Sequence, residues 1–199
     1  TIHLREDRRH IKDLDVIKMC KNKKIPVNLE ISLNSKILKI AMQNKPNYIC
    51  IVPENRKEIT TEGGLNLKKN EIKIKNIISK FNKKKIRTSL FIDANLKNVL
   101  LSKEFQTNCV EFHTGRLSNL VKSKKNFTNE LKKFKKCCIL ANSLGLEVHA
   151  GHGLDYKTTK LLSKIKEIKE FNIGHFIIGE SIIYGLKNII NKFKKILNS

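Results

Sequence analysis

Short apolar runs alternate with longer amphipathic stretches along the whole chain. The runs are Ile2–Leu4, Ile25–Ile31, Tyr48–Val52, Arg87–Ile92, Cys109–Phe112, Glu147–Ala150 and Phe171–Ile173, and their length and content predict β-strands. The stretches between and after them have helical spacing and predict helices near Lys12–Cys20, Asn34–Gln43, Asn70–Lys83, Asn95–Lys103, Phe127–Leu144, Thr158–Ile168 and Ser181–Leu197. Strand then helix, seven times, argues for right-handed βαβ units and a parallel sheet. A period of about 25 residues points to an α/β fold of the (β/α)8 TIM-barrel type. Such barrels typically use about 250 residues, and this chain has 199. Seven βα units are visible, and the chain starts at Thr1 inside or just before a strand. The expectation is therefore one catalytic barrel domain over 1–199 with its first unit missing. A doubly wound open sheet is the alternative, and no GxGxxG fingerprint supports it.

Composition adds limits. A hydrophobic fraction of 40% is enough for one sizeable core. No apolar run approaches the roughly 20 residues of a membrane span, so no membrane association and a cytoplasmic location are expected. Five cysteines lack CxxC spacing and read as reduced core residues. Lys and Arg number 41 against 18 Asp and Glu, a net charge of +23. Only six of the 41 are arginine, aromatics are 6% and tryptophan is absent, so the arginine forks and stacking platforms of nucleic-acid readers are lacking. A basic RNA-binding or scaffold role is the reading from another class, and it is disfavoured on that ground.

Chemistry-bearing residues gather where strands end. His3 and Arg5, Glu30, Glu54, Asp93, Glu111 with His113, His152 and His175 all fall there, which is where barrel enzymes keep their active sites. Histidine exchanges protons near neutrality, so the cluster reads as acid–base equipment. AGHG at 150–153 and NIGHFIIG at 172–179 occupy the last two loops, which in many barrels bind phosphate with a helix N-terminus. A phosphorylated small substrate follows, with Arg5, His10 and Thr60 as holders of a second anion. His149 and His152 do not share a face on an extended strand, so no metal ligand set is read here. Another phosphosugar isomerase or aldolase stays open at this level, although a Schiff-base aldolase needs a strand-end lysine that this chain lacks.

Taken together, HLREDRRH, VNLE, VPE with TTEGGL, LFID, EFHTGR, AGHGL and NIGHFIIG resemble, in order, the motifs of the pyridoxine 5'-phosphate synthase family. The resemblance runs from residue 3 to about 185. It implies a (β/α)8 barrel, commonly octameric, that condenses 3-amino-2-oxopropyl phosphate with 1-deoxy-D-xylulose 5-phosphate without an organic cofactor. The products are pyridoxine 5'-phosphate, phosphate and water. By that resemblance His3 and Glu30 are proton acceptors, His152 is the proton donor and Glu111 stabilises cationic intermediates. Arg5, His10 and Thr60 would hold the deoxyxylulose phosphate, and Gly153, Gly174 and His175 the aminoketone phosphate. The family's Asn-x-Asp-His motif and downstream arginine, on the first strand and its loop, have no counterpart in this sequence.

Overall fold

A computed structural model describes residues 1–22, 24–54 and 63–198. Seven strands form one parallel sheet in chain order: β1 (Ile2–His3), β2 (Asn28–Ile31), β3 (Tyr48–Ile51), β4 (Arg87–Ile92), β5 (Cys109–His113), β6 (Glu147–Gly151) and β7 (Ile168–Asn172). The helices are α1 (Asp13–Lys21), α2 (Ser35–Asn44), α3 (Glu71–Lys83), α4 (Leu96–Glu104), α5 (Gly115–Lys122), α6 (Thr128–Ser143), α7 (Tyr156–Leu162), α8 (His175–Tyr184) and α9 (Leu186–Leu197). The sheet curls so that its two edge strands approach each other, and the Thr1 hydroxyl donates to Asn172 Oδ1 at 3.0 Å. This is the expected barrel architecture with seven strands.

Alternation along the strands sorts the side chains. Leu29, Ile31, Ile49, Ile51, Leu90, Ile92, Val110, Phe112, Val148 and Ala150 point outward into one buried apolar layer shared with Ile37, Ile74, Ile78, Phe81, Val99, Phe134 and Cys138 of the helices. The intervening positions turn inward, where a small apolar cluster of Cys50, Val52 and Phe91 sits among Glu30, Ser89, Glu111, His149 and Asn172. Helix starts follow the polar signals in the sequence. Asn34 Oδ1 accepts from Lys36 N, Asn95 Oδ1 from Lys97 N and Asp155 Oδ1 from Thr158 N.

The structure corrects the sequence reading in three places. The sequence pattern announces no helix between Phe112 and Phe127, yet the eight-residue α5 starts directly after β5 and carries no capping side chain. The helix expected over Thr158–Ile168 ends at Leu162, because Ile165 N bonds to Leu162 O and Ile168 N to Ile165 O, turning the chain into a strand that starts at Ile168. Its Leu and Ile spacing is helical, yet it serves a turn and a strand. The single final helix is two helices, since Gly185 at φ +78° adopts a left-handed conformation that ends α8. Helix α8 therefore begins at His175, earlier than the pattern implied, and none of its residues is buried.

Phe112 is fully buried and meets Phe134 edge-on with ring centroids 5.5 Å apart. Phe112→Ala is expected to lower the unfolding free energy by about 3–5 kcal/mol. Chemical denaturation checks this, and a loss below about 1 kcal/mol would contradict the placement of the core between sheet and helices.

Candidate active site

The C-terminal ends of the strands carry the ionisable groups, and two clusters form there. In the first, β1 and β2 pair in parallel with His3 opposite Glu30. His3 Nδ1 lies 3.6 Å from Glu30 Oε2, and His3 Nε2 faces Glu54 Oε2 at 3.8 Å. Arg5 is buried beside them, its Nε 3.4 Å from Asp7 and 4.0 Å from Glu54. Glu54 is fixed by the Glu6 amide, which donates to its Oε1 at 2.7 Å. Burial, aided by the Arg5 charge, lowers the His3 pKa to about 4. The imidazole is thus neutral at pH 7 and free to accept a proton. Glu30 moves the other way, raised by burial.

Glu111 lies deeper, 3% exposed, at the middle of β5. Its Oε2 accepts from Asn172 Nδ2 at 3.0 Å and faces the Cys50 thiol at 3.8 Å. Burial and the nearby charges of Glu30 and Glu170 raise its pKa well above the ordinary carboxylate value. Gly151, on the neighbouring strand, makes room for it. A Cβ there would sit 2.0 Å from Glu111 Oε1.

The second cluster surrounds His152. Its ring stands 4.9 Å from that of His113, and both lean edge-on against Phe91. His113 Nδ1 contacts Asp93 Oδ1 at 3.2 Å, which holds the Asp93 carboxyl below its usual range. Gly115 leaves space for the pair, because a Cβ would come 2.6 Å from His113 Nε2. His152 has φ +77°, a costly backbone for a non-glycine residue. Thr114 pins the turn by donating to the carbonyls of Gly151 (2.9 Å) and His152 (2.5 Å). Burial first, then the charges of His113, Lys122 and His175, lower the His152 pKa to about 4. A cavity of about 530 Å³ opens over this cluster, lined by Gly63, His113, Arg116, Asn119, Ser123 and His152 among others.

The remaining expected residues are distributed unevenly. Gly153 follows His152 in the same loop, its carbonyl accepting from Lys122 Nζ at 2.8 Å. Gly174 caps α8 and His175 opens it, both exposed, so free amides of a helix N-terminus face the mouth side of β7. His10 is exposed in the segment before α1. Thr60 lies outside the described residues. Nothing in these positions is a strand-end lysine.

The sequence matches the family described as Pyridoxal phosphate biosynthesis protein PdxJ over residues 1–199. The chain belongs to that family. Among relatives named pyridoxine 5'-phosphate synthase, the protein of Pelagibacter ubique is 68% identical over 198 residues, covering 100% of this chain and 83% of its own length. That of Nautilia profundicola is 43% identical over 219 aligned residues, covering 100% of this chain and 85% of its own. The solved structure titled as a 4-hydroxy-2-oxoglutarate aldolase/2-deydro-3-deoxyphosphogluconate aldolase from TTHB1 superposes with a TM-score of 0.61 at 9% identity, over 98% of this chain and 79% of that one. At that identity the likeness supports the barrel fold alone.

The sequence placed Gly151 and Asn172 in candidate phosphate loops and Cys50 in the core, and did not connect any of the three with Glu111. Asn172, Gly151 and Cys50 shape the surroundings of Glu111 through contacts between strands far apart in the chain, which no local spacing reveals. His113 was visible at a strand end, but its pairing with His152 depends on Gly115.

Two outcomes follow. Imidazole NMR should show His3 titrating near pH 4 in the folded protein, against an ordinary value of about 6.5. The unfolded chain takes up that proton first, so this group's contribution to stability is full above pH 6.5 and declines as the pH falls from 6.5 to 4. Titration of His3 at 6.5 would contradict its buried setting. Gly151→Ala is expected to displace Glu111 and cut turnover by at least tenfold while circular dichroism stays native; unchanged turnover would mean Glu111 tolerates the added methyl.

Proposed function

We propose that this chain is a pyridoxine 5'-phosphate synthase, joining 3-amino-2-oxopropyl phosphate to 1-deoxy-D-xylulose 5-phosphate with release of phosphate and water. The observation that carries the reading is the convergence of His3, Glu30, Glu111 and His152 on one end of a barrel whose family is shared with relatives of that name. Imine formation and successive dehydrations each need a proton taken from one atom and delivered to another. Neutral His3 accepts a proton, and Glu30 beside it, its pKa raised by burial, exchanges protons with it. Glu111 responds to charge: a cationic nitrogen arriving beside it favours its ionised form, so the carboxylate appears as the iminium develops.

His152 serves as donor by a related device. Its proton affinity is depressed by burial and by the cationic surroundings of His113, Lys122 and His175. A phosphate dianion bound at Gly153, Gly174 and His175 offsets those charges and raises the pKa of His152. Substrate binding thereby loads the donor. Arg5, His10 and Thr60 take the second phosphate in this reading; for Arg5, burial next to Glu54 puts its guanidinium beside the His3 base.

The same reading extends to setting. The enzyme works without an organic cofactor, as a cytoplasmic homo-oligomer, octameric by family resemblance. Support for assembly comes from α8, whose Ile178, Ile182 and Ile183 are 62–83% exposed. All five thiols are free, in keeping with a reducing compartment. No helix among the described residues is long and apolar enough to cross a membrane.

Steady-state kinetics of His152→Ala and Glu30→Gln tests the assignment. Turnover should fall by roughly 10²–10⁴-fold in each, with native circular dichroism. Near wild-type turnover in both would remove the proposal.

A further inference from the structure

A second ionisable cluster lies at the opposite end of the barrel, among the first residues of the strands. Cys109 opens β5, Glu147 opens β6 and Arg87 opens β4, with Cys109 and Glu147 directly paired across the sheet. His149 projects from the same face of β6 as Glu147, two residues on, and Glu170 of β7 is its neighbour in register. One ligand atom each from Cys109, Glu147 and His149 lie within 4.8 Å of one another. Cys109 and His149 are buried, whereas Glu147 is partly open to solvent.

The orientation of the His149 ring makes this arrangement informative. Its Nε2 lies 2.8 Å from Glu147 Oε1, while Nδ1, buried and without a hydrogen-bond partner, faces Glu170 Oε1 at 3.8 Å. A neutral imidazole has a single N–H. Without a cation, a hydrogen on Nε2 donates to Glu147 Oε1; with the hydrogen on Nδ1 instead, toward Glu170, the Nε2 lone pair is turned to the Glu147 side and can ligate a cation held there. The neighbouring thiol favours a soft or borderline metal ion over a hard cation such as magnesium.

We propose that Cys109, Glu147 and His149 form a binding site for a thiolate-preferring divalent cation of the zinc type, with Glu170 orienting the imidazole from behind. Three mixed S, N and O ligands and one position left for water is a familiar zinc arrangement. Bonds of about 2.0–2.3 Å place tetrahedral ligand atoms about 3.3–3.7 Å apart. The present separations thus need adjustments of about an ångström or less, most of them in the partly exposed Glu147 side chain. A carboxylate on the non-ligating ring nitrogen is the usual support of a metal-bound histidine. Binding exchanges the Cys109 thiol proton for the metal, and the proton leaves to solvent through the open side at Glu147. Arg87 is the competitor: its Nη2 lies 2.5 Å from Glu147 Oε1 and must swing outward when the metal enters. Its side chain is one-third exposed, so that route is open. The site starts at the N-terminal ends of β5 and β6 and reaches inward to His149, the register partner of Glu111, and there it would tie β5 to β6 as a staple. This departs from the expectation, drawn from sequence alone, that no metal is held.

Titration of the full chain with cobalt(II) tests the proposal. One equivalent per chain should saturate with a thiolate-to-cobalt charge-transfer band. Cys109→Ser and His149→Ala should abolish the band, and Glu170→Gln should weaken binding by roughly 10-fold or more. Arg87→Gln should tighten binding, a gain that misfolding cannot imitate. Retention of the full band in Cys109→Ser, no saturable binding by wild type, or no gain in affinity in Arg87→Gln would each overturn the site.

Discussion

The structure depends on one constraint: strands of period two must give their outward positions to helices and their inward positions to the barrel interior. Isoleucine, leucine, valine and phenylalanine take the outward places and form the continuous core. The inward places hold Glu30, Ser89, Glu111, His149 and Asn172, with little apolar packing beyond Cys50, Val52 and Phe91. Stability is thereby assigned to the layer outside the sheet, and the interior is released for chemistry. The cost is the burial of carboxyls, met by raised proton affinity and by partners such as Asn172 on Glu111.

Once the interior is polar, proton affinities become tunable by small displacements of charge. His3 and His152 are both held neutral mainly by burial, while Glu30 and Glu111 are pushed toward their protonated forms. The resting site thus favours an uncharged distribution, with neutral imidazoles and with Glu30 and Glu111 drawn toward their protonated forms. Anionic phosphates and cationic intermediates reverse that distribution when they arrive. Small residues make the geometry possible, since Gly151 and Gly115 leave space that a methyl group would take from Glu111 and His113.

Much of this was legible in the sequence. The strand–helix alternation gave the barrel, because apolar runs of this length bounded by polar caps have few other uses, and the placement of His3, Glu30, Glu111 and His152 at or near strand ends followed from it. The failures have physical causes. Helix α5 is short and lacks a capping side chain, and the run through Ile165 and Ile168 has helical spacing yet serves a turn and a strand edge. In α8, a helix that buries none of its residues has no amphipathic face to detect. The partners of Glu111 and the Cys109–Glu147–His149 cluster are set by register between strands, which only the folded sheet specifies.

The central claim is that this interior performs a ring-forming condensation of two phosphorylated substrates. The most direct measurement is pyridoxine 5'-phosphate formation by the purified protein from 3-amino-2-oxopropyl phosphate and 1-deoxy-D-xylulose 5-phosphate, with circular dichroism on the same sample. The account predicts product, accompanied by an equal amount of released phosphate. A natively folded protein that consumes neither substrate would contradict it.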